Sequence, residues 1–240
     1  MSYIFDTFLY YPLFNALILI YNYASFSDLG IAIIFLTILI RILLFPLFYK
    51  SFEHQTIMQK LQPAMRQIQH EHKEDKEKQA LKMMELYREH KVNPFSSFLL
   101  ILVQLPVLIA LYSVFNSGLT DETLTYLYSF VYNPEHLNRL FLGLIDLSKK
   151  NIIIVVIAAL AQYYQTKLTM PKKDSNSAQS SADSDPMASM AKNMVIIGPL
   201  MTVFILGYLP SAIGIYWLTS SVFSLAQQWY INKKIYGANN

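Results

Sequence analysis

Residues 29–49 read LGIAIIFLTILIRILLFPLFY, and Arg41 is the one charge among them. About 20 apolar residues rising 1.5 Å each cross a hydrocarbon layer about 30 Å thick, so the stretch has the length and composition of a transmembrane helix. Three more stretches carry no charge at all: residues 92–120, with the core FLLILVQLPVLIALYSVF, residues 151–166, NIIIVVIAALAQYYQT, and residues 193–232. The last is too long for one crossing and has Gly207, Pro210 and Gly214 at its middle, which divides it into helices over 194–209 and 212–231. The span after Lys150 is the shortest and extends through Lys167 and Leu168, with the lysine reaching out to the headgroups. Five spans follow, over 29–49, 94–117, 148–168, 194–209 and 212–231.

The composition of the whole chain agrees. Its 240 residues are 54% hydrophobic and 15% charged, whereas soluble globular chains are roughly 25% charged. With no cysteine, a disulfide-stapled module, a thiolate metal site and cysteine catalysis are excluded. A net charge of +3 is too small to indicate nucleic acid, and no direct DNA binding is expected.

The positions of the charges orient the spans. Residues 50–91 hold nine of the nineteen Lys and Arg residues, residues 167–192 hold four more, and Lys233 and Lys234 lie in the tail, residues 232–240. The extracytoplasmic segment, residues 118–147, and the amino-terminal residues carry few. The positive-inside rule puts the amino terminus outside and the carboxyl terminus in the cytoplasm, as five crossings require. Residues 50–93 show Ile57, Leu61, Met65 and Ile68, then Ala80, Met83, Met84 and Tyr87, at helical spacing on either side of a charged turn. That pattern predicts a cytoplasmic hairpin of two amphipathic helices. Asn93 and Pro94 are read as the cap and first residue of span two. Residues 169–193, rich in Ser and Asp, are expected to be a disordered cytoplasmic loop. Residues 1–28 lack the basic start of a signal peptide, and Tyr11, Asn15, Ile18, Asn22 and Ser25 fall near one face. They are read as a helix lying on the outer membrane interface and feeding span one at Ser27 and Asp28, with a sixth span over residues 8–24 as the alternative.

Arg41 is the sharpest polar feature. An arginine within a span costs roughly 2.5–3.5 kcal/mol on insertion scales and so faces protein or water. The spans hold no acid to neutralise it, which favours a wetted cavity over an ion pair. Thr37 lies one turn earlier on the same face. Gln104 in span two, Gln162 in span three, and Tyr216, Trp217, Ser220, Ser224 and Gln227 in span five are further polar candidates. There is no HExxH, Walker loop, GxSxG or intramembrane Ser–Lys pair, and four of the five histidines (His54, His70, His72 and His90) fall in the hairpin segment. No catalytic residue, metal site or cofactor is expected, and the chain is not read as an enzyme. A channel or solute transporter with an anion-binding arginine is the alternative, and a purely structural assembly scaffold a third reading.

The blocks RILLFPLFYKS, MQKLQPAMRQIQ, MMELYREHKVNPFSSFLLILVQLPVLIALYSVF and LPSAIGIYWLTSSVFSLAQQWYI, in this order, resemble the YidC family of membrane protein insertases. The resemblance covers roughly residues 41–234 and is to the short form, without the large periplasmic domain or a lipoprotein cysteine. It implies five core spans, a cytoplasmic helical hairpin, and a hydrophilic groove open to cytoplasm and lipid. Arg41, with Thr37 near it, matches the groove arginine; Gln104, Gln162, Tyr216, Trp217 and Ser220 match groove or substrate-contact positions. It also implies a bacterial plasma membrane location, nascent membrane proteins as substrates, the lipid bilayer as surroundings, and the ribosome, targeting factors and Sec translocon as partners of the hairpin and tail. Several family positions differ: Ala212, Ser221, Lys91, Ser96 and Ser97 stand where glycine or asparagine is usual.

Overall fold

The computed structural model describes residues 3–93, 95–116, 125–134, 136–168 and 186–237. Among them the chain is helical apart from one short antiparallel pair, β1 (Leu140–Phe141) and β2 (Ile145–Asp146), in register Leu140 to Asp146. That pair is a small addition to the all-helical expectation.

Helix α1 (Tyr3–Tyr23), with a π-helical turn at Asp6–Tyr10, leads into α2 (Leu29–Leu43). The side chain of Asp28 caps α2 by accepting from the Ile31 N–H at 3.0 Å. The face of α1 bearing Asn15 and Ile18 is turned into the protein, as is Ser25 just past its end: these residues are at most 3% exposed, and Phe14 and Leu17 are fully buried. The expected unbroken span 29–49 is interrupted at Leu44. Pro46 has no N–H to give the helix and its ring obstructs the carbonyl four residues back, so α2 stops and α3 (Phe45–Glu71) restarts at an angle of 68°. Helix α2 alone has 15 residues, about 22 Å of rise.

Helix α4 (Lys76–Glu89) folds back along α3, and Leu61, Met65 and Val92 pack with Ile57, Met83, Leu86 and Tyr87. The face of α4 turned toward α3 is rotated from the expected one. Met84 is 61% exposed and Ala80 also points outward, and Leu86 takes the inward place. Two residues past the end of α4, Lys91 has a left-handed φ of +53°, and the Val92 N–H returns to the Tyr87 carbonyl at 3.0 Å. This is a helix stop that glycine adopts without strain. Pro94 lies outside the described residues, and α5 (Ser96–Asn116) begins two residues later than expected. Asn93 closes a local turn instead, its Oδ1 accepting from the Phe95 N–H at 2.9 Å.

Helix α6 (Ile152–Leu168) starts after Asn151, whose Oδ1 accepts from the Ile153 and Ile154 N–H groups, rather than at residue 148. Helix α7 (Pro186–Tyr208) takes in residues 186–193, which were expected to be disordered; the rest of that loop, 169–185, lies outside the described residues. The break at Pro210 is where it was expected, and α8 (Ser211–Gly237) runs past residue 231 into the expected tail. Gly214 allows α8 close to α6, because a Cβ there would sit 2.5 Å from the Ile154 methyl.

One core joins these helices, centred on Phe14, Ile33, Leu36, Leu111, Ala158 and Ile213. Residues 125–149 cover its Pro210 end. Asn15 donates to the Tyr126 carbonyl and accepts from the Tyr128 N–H, Asn22 donates to the Tyr132 carbonyl, and Asp28 Oδ2 accepts from the Leu142 N–H. The Ser211 hydroxyl and N–H both donate to the Lys149 carbonyl.

Among the described residues, α1 alone is long and apolar enough to cross a membrane by itself, and the bent pair α2–α3 passes the same test together. Leu102–Phe115, Ile152–Leu168 and Val195–Tyr208 are shorter apolar helices. Burial adds a second signal. Ile42, Leu43, Ile153, Leu200, Phe204 and Trp229 are all more than half exposed, while Arg41, Ser220, Gln227 and Gln228 are all buried. A water-soluble fold places these classes the other way round.

Candidate functional site: a buried polar stripe beside Arg41

Arg41 lies in the last turn of α2 and is 7% exposed. Its Nε and one terminal nitrogen donate to the Ser220 hydroxyl at 2.9 and 2.5 Å, and its guanidinium carbon sits 4.3 Å from the centre of the Phe48 ring. The other terminal nitrogen, Nη1, is buried and has no hydrogen-bond partner among the described residues. No carboxylate pairs with Arg41 among the described residues. A guanidinium does not shed its proton in proteins, so the interior here holds an uncompensated positive charge. Among the described residues, the Ser220 hydroxyl and the negative face of the Phe48 ring support it.

Helix α8 supplies the rest of the stripe. Tyr216, Ser220, Ser224 and Gln227 recur at intervals of four, four and three, and all four are buried. Gln104 of α5 donates to the Tyr216 hydroxyl, joining a third helix to the face that carries Arg41. Gln162 of α6 does not reach that face. Its Oε1 accepts from Ser221, one residue round the helix, at 3.3 Å. Trp217 packs half-buried at the edge of the apolar core. Thr37 is buried one turn from Arg41, but its hydroxyl donates to the Ile33 carbonyl of its own helix at 2.6 Å. The structure therefore gathers Arg41, Ser220, Tyr216 and Gln104, keeps Thr37 close with its hydroxyl committed, and sets Gln162 and Trp217 on the flanks.

Sequence reasoning missed Phe48, which comes under Arg41 only because the chain bends at Leu44. It also left out Gln228, beside the stripe, which donates to Thr56 Oγ1 and Asn232 Oδ1 at 3.1 and 3.0 Å. Paired glutamines continuing a helical polar stripe were the available signal. Both amide atoms of Gln227, the Gln228 Oε1 and the His54 Nδ1 are buried without a partner among the described residues. Each such group costs about 1–3 kcal/mol. With Arg41 Nη1 they are buried polar atoms left unpaired among the described residues, in helices whose outward faces are apolar.

A family model described as the 60 kDa inner membrane protein matches residues 20–238. A protein of Fusobacterium nucleatum named membrane protein insertase YidC is 35% identical over 208 residues, covering 87% of this chain and 88% of its own length. A protein of the same name from Clostridium tetani is 34% identical over 200 residues, 79% of its length. Another, from Citrifermentans bemidjiense, is 32% identical over 226 residues; this chain spans 36% of that longer protein. A match across nearly the whole chain, with like-sized relatives above 30% identity, places it: the chain belongs to the 60 kDa inner membrane protein family, that of the YidC proteins.

Proposed function

We propose that this protein is a membrane protein insertase that receives the hydrophilic end of a nascent protein on the polar stripe beside Arg41. It is not an enzyme. The observation that carries the reading is a buried arginine with one unpartnered nitrogen, held by a neutral hydroxyl and a ring instead of an acid. A structural arginine is normally neutralised by a carboxylate, whereas this one keeps attraction for an incoming acidic group.

In this reading the core crosses the bacterial plasma membrane five times, with the amino terminus outside and the carboxyl terminus and α3–α4 hairpin in the cytoplasm. Residues 125–149, tied down by Asn15, Asn22, Asp28 and Ser211, seal the outer end. A polar segment meets a large desolvation barrier in hydrocarbon. Arg41 lowers it for acidic residues, while Ser220, Tyr216, Gln104 and Gln162 replace part of the lost hydration. The substrate's apolar helix moves into lipid along the exposed aliphatic faces of α6 and α8, and its burial drives the step. The hairpin, with its exposed basic side chains, and the lysines near the end of α8 meet the ribosome, targeting factors or Sec translocon.

The test is insertion of a single-span substrate with an acidic outer tail, in cells depleted of the native insertase. Arg41→Ala is expected to abolish insertion while the protein still accumulates folded, and Arg41→Lys to retain it. Full insertion by Arg41→Ala would rule out the electrostatic role.

A further inference from the structure

Two adjacent glutamines of α8 have opposite surroundings. Gln228 is 1% exposed, and its amide nitrogen bonds Thr56 of α3 and Asn232, while Thr56 Oγ1 donates to the same Asn232 oxygen at 3.2 Å. It ties α3 to α8. Gln227 is 4% exposed, yet among the described residues neither its nitrogen nor its oxygen has a hydrogen-bond partner. Neighbours on a helix point about 100° apart, so the two cannot serve the same face. Counting back by three and four puts Gln227 on the stripe of Ser224, Ser220 and Tyr216. Arg41 reaches that stripe from the other side: it bonds Ser220 and lies over Phe48, and Phe48 packs with Ile231, one turn beyond Gln227. The two unpartnered groups, Arg41 Nη1 and the Gln227 carboxamide, therefore belong to one segment of the stripe.

A carboxamide offers an acceptor and two donors, the complement of a peptide group, whereas a guanidinium offers donors alone. We propose that Gln227 is a second substrate contact, pairing through its carboxamide with a backbone peptide group of the extended hydrophilic segment while Arg41 takes an acidic side chain. The proposal rests on the insertase reading above and adds a sequence-independent grip to a charge-selective one. It also sets a register. Gln227 is seven residues from Ser220, about 10 Å along the helix. An extended chain covers that distance in about three residues.

The protein has no cysteine, so single cysteines report without background. Ser220→Cys and Gln227→Cys would be oxidised against single cysteines scanned through the outer segment of a ribosome-stalled, single-span substrate in membrane vesicles. Disulfides are expected at both sites, with maxima offset by about three substrate residues. Disulfides at 220 with none at 227 would overturn this proposal alone. None at either site would overturn the insertase reading with it. A second measurement separates contact from scaffold: Gln227→Met is expected to reduce insertion about tenfold, the worth of one hydrogen bond, without lowering the thermal midpoint. Gln228→Met is expected to lower that midpoint. Unchanged insertion by Gln227→Met, or a fall in its midpoint matching that of Gln228→Met, would show Gln227 to be structural.

Discussion

Arg41 is held by a hydroxyl on one side and the Phe48 ring on the other. Because Ser220 accepts two of the guanidinium's five N–H groups, it positions the cation as well as solvating it. Ser220→Ala is expected to destabilise the folded protein by about 1.5–3 kcal/mol, the range for hydrogen bonds to a charged group, read as a lower thermal midpoint in detergent. An unchanged midpoint would mean that Arg41 finds an equal partner without it. At this scale the sequence carried the helical neighbours. Thr37, Ser220 and Tyr216 follow from three-and-four spacing on their own helices. It did not carry where the Thr37 hydroxyl points, because a threonine in a helix is free to bond its own carbonyl four residues back. Nor did it carry Phe48, since spacing arguments fail across the break at Leu44.

The element that departs most from expectation is the first span, where Pro46 stops α2 and turns α3 through 68°. Hydropathy saw one apolar run because it is blind to backbone donors, although the proline itself was in view. The Pro210 break was legible for the same chemical reason, with flanking glycines adding to the signal. Boundaries elsewhere moved by local capping: Asn93 and Asn151 each close their own turns, which shifts α5 and α6 to later starts. The hairpin ends on a lysine at φ +53°. A left-handed lysine is strained by about 1 kcal/mol relative to glycine. Lys91→Gly is therefore expected to stabilise the hairpin by about that amount, measured as slower amide exchange in α4. Faster exchange would mean that the Lys91 side chain contributes more than its backbone costs.

For the molecule as a whole, charge placement and the exposure pattern agree on a protein whose polar groups are inside and whose aliphatic faces are outside. Positive-inside counting was possible from sequence because basic residues cluster in two loops and a tail. The seal over the Pro210 end was not, because it depends on Asn15, Asn22 and Asp28 meeting backbone groups more than 100 residues away. The orientation has a direct check in the cysteine-free chain. Leu144→Cys and Met84→Cys, 84% and 61% exposed as the native residues, fall on opposite sides of the membrane in the proposed topology. In intact cells with permeable outer layers, an impermeant maleimide is expected to label residue 144 and not residue 84; the reverse would invert the topology. The most direct test of the polar stripe as a path for nascent chains is photocrosslinking of a ribosome-stalled span from probes at Gln162 and Trp217, which flank it. Strong adducts from both positions, lost when Arg41→Ala is combined with an acidic-tailed substrate, are the expected result. Adducts absent from both positions while insertion proceeds would contradict it.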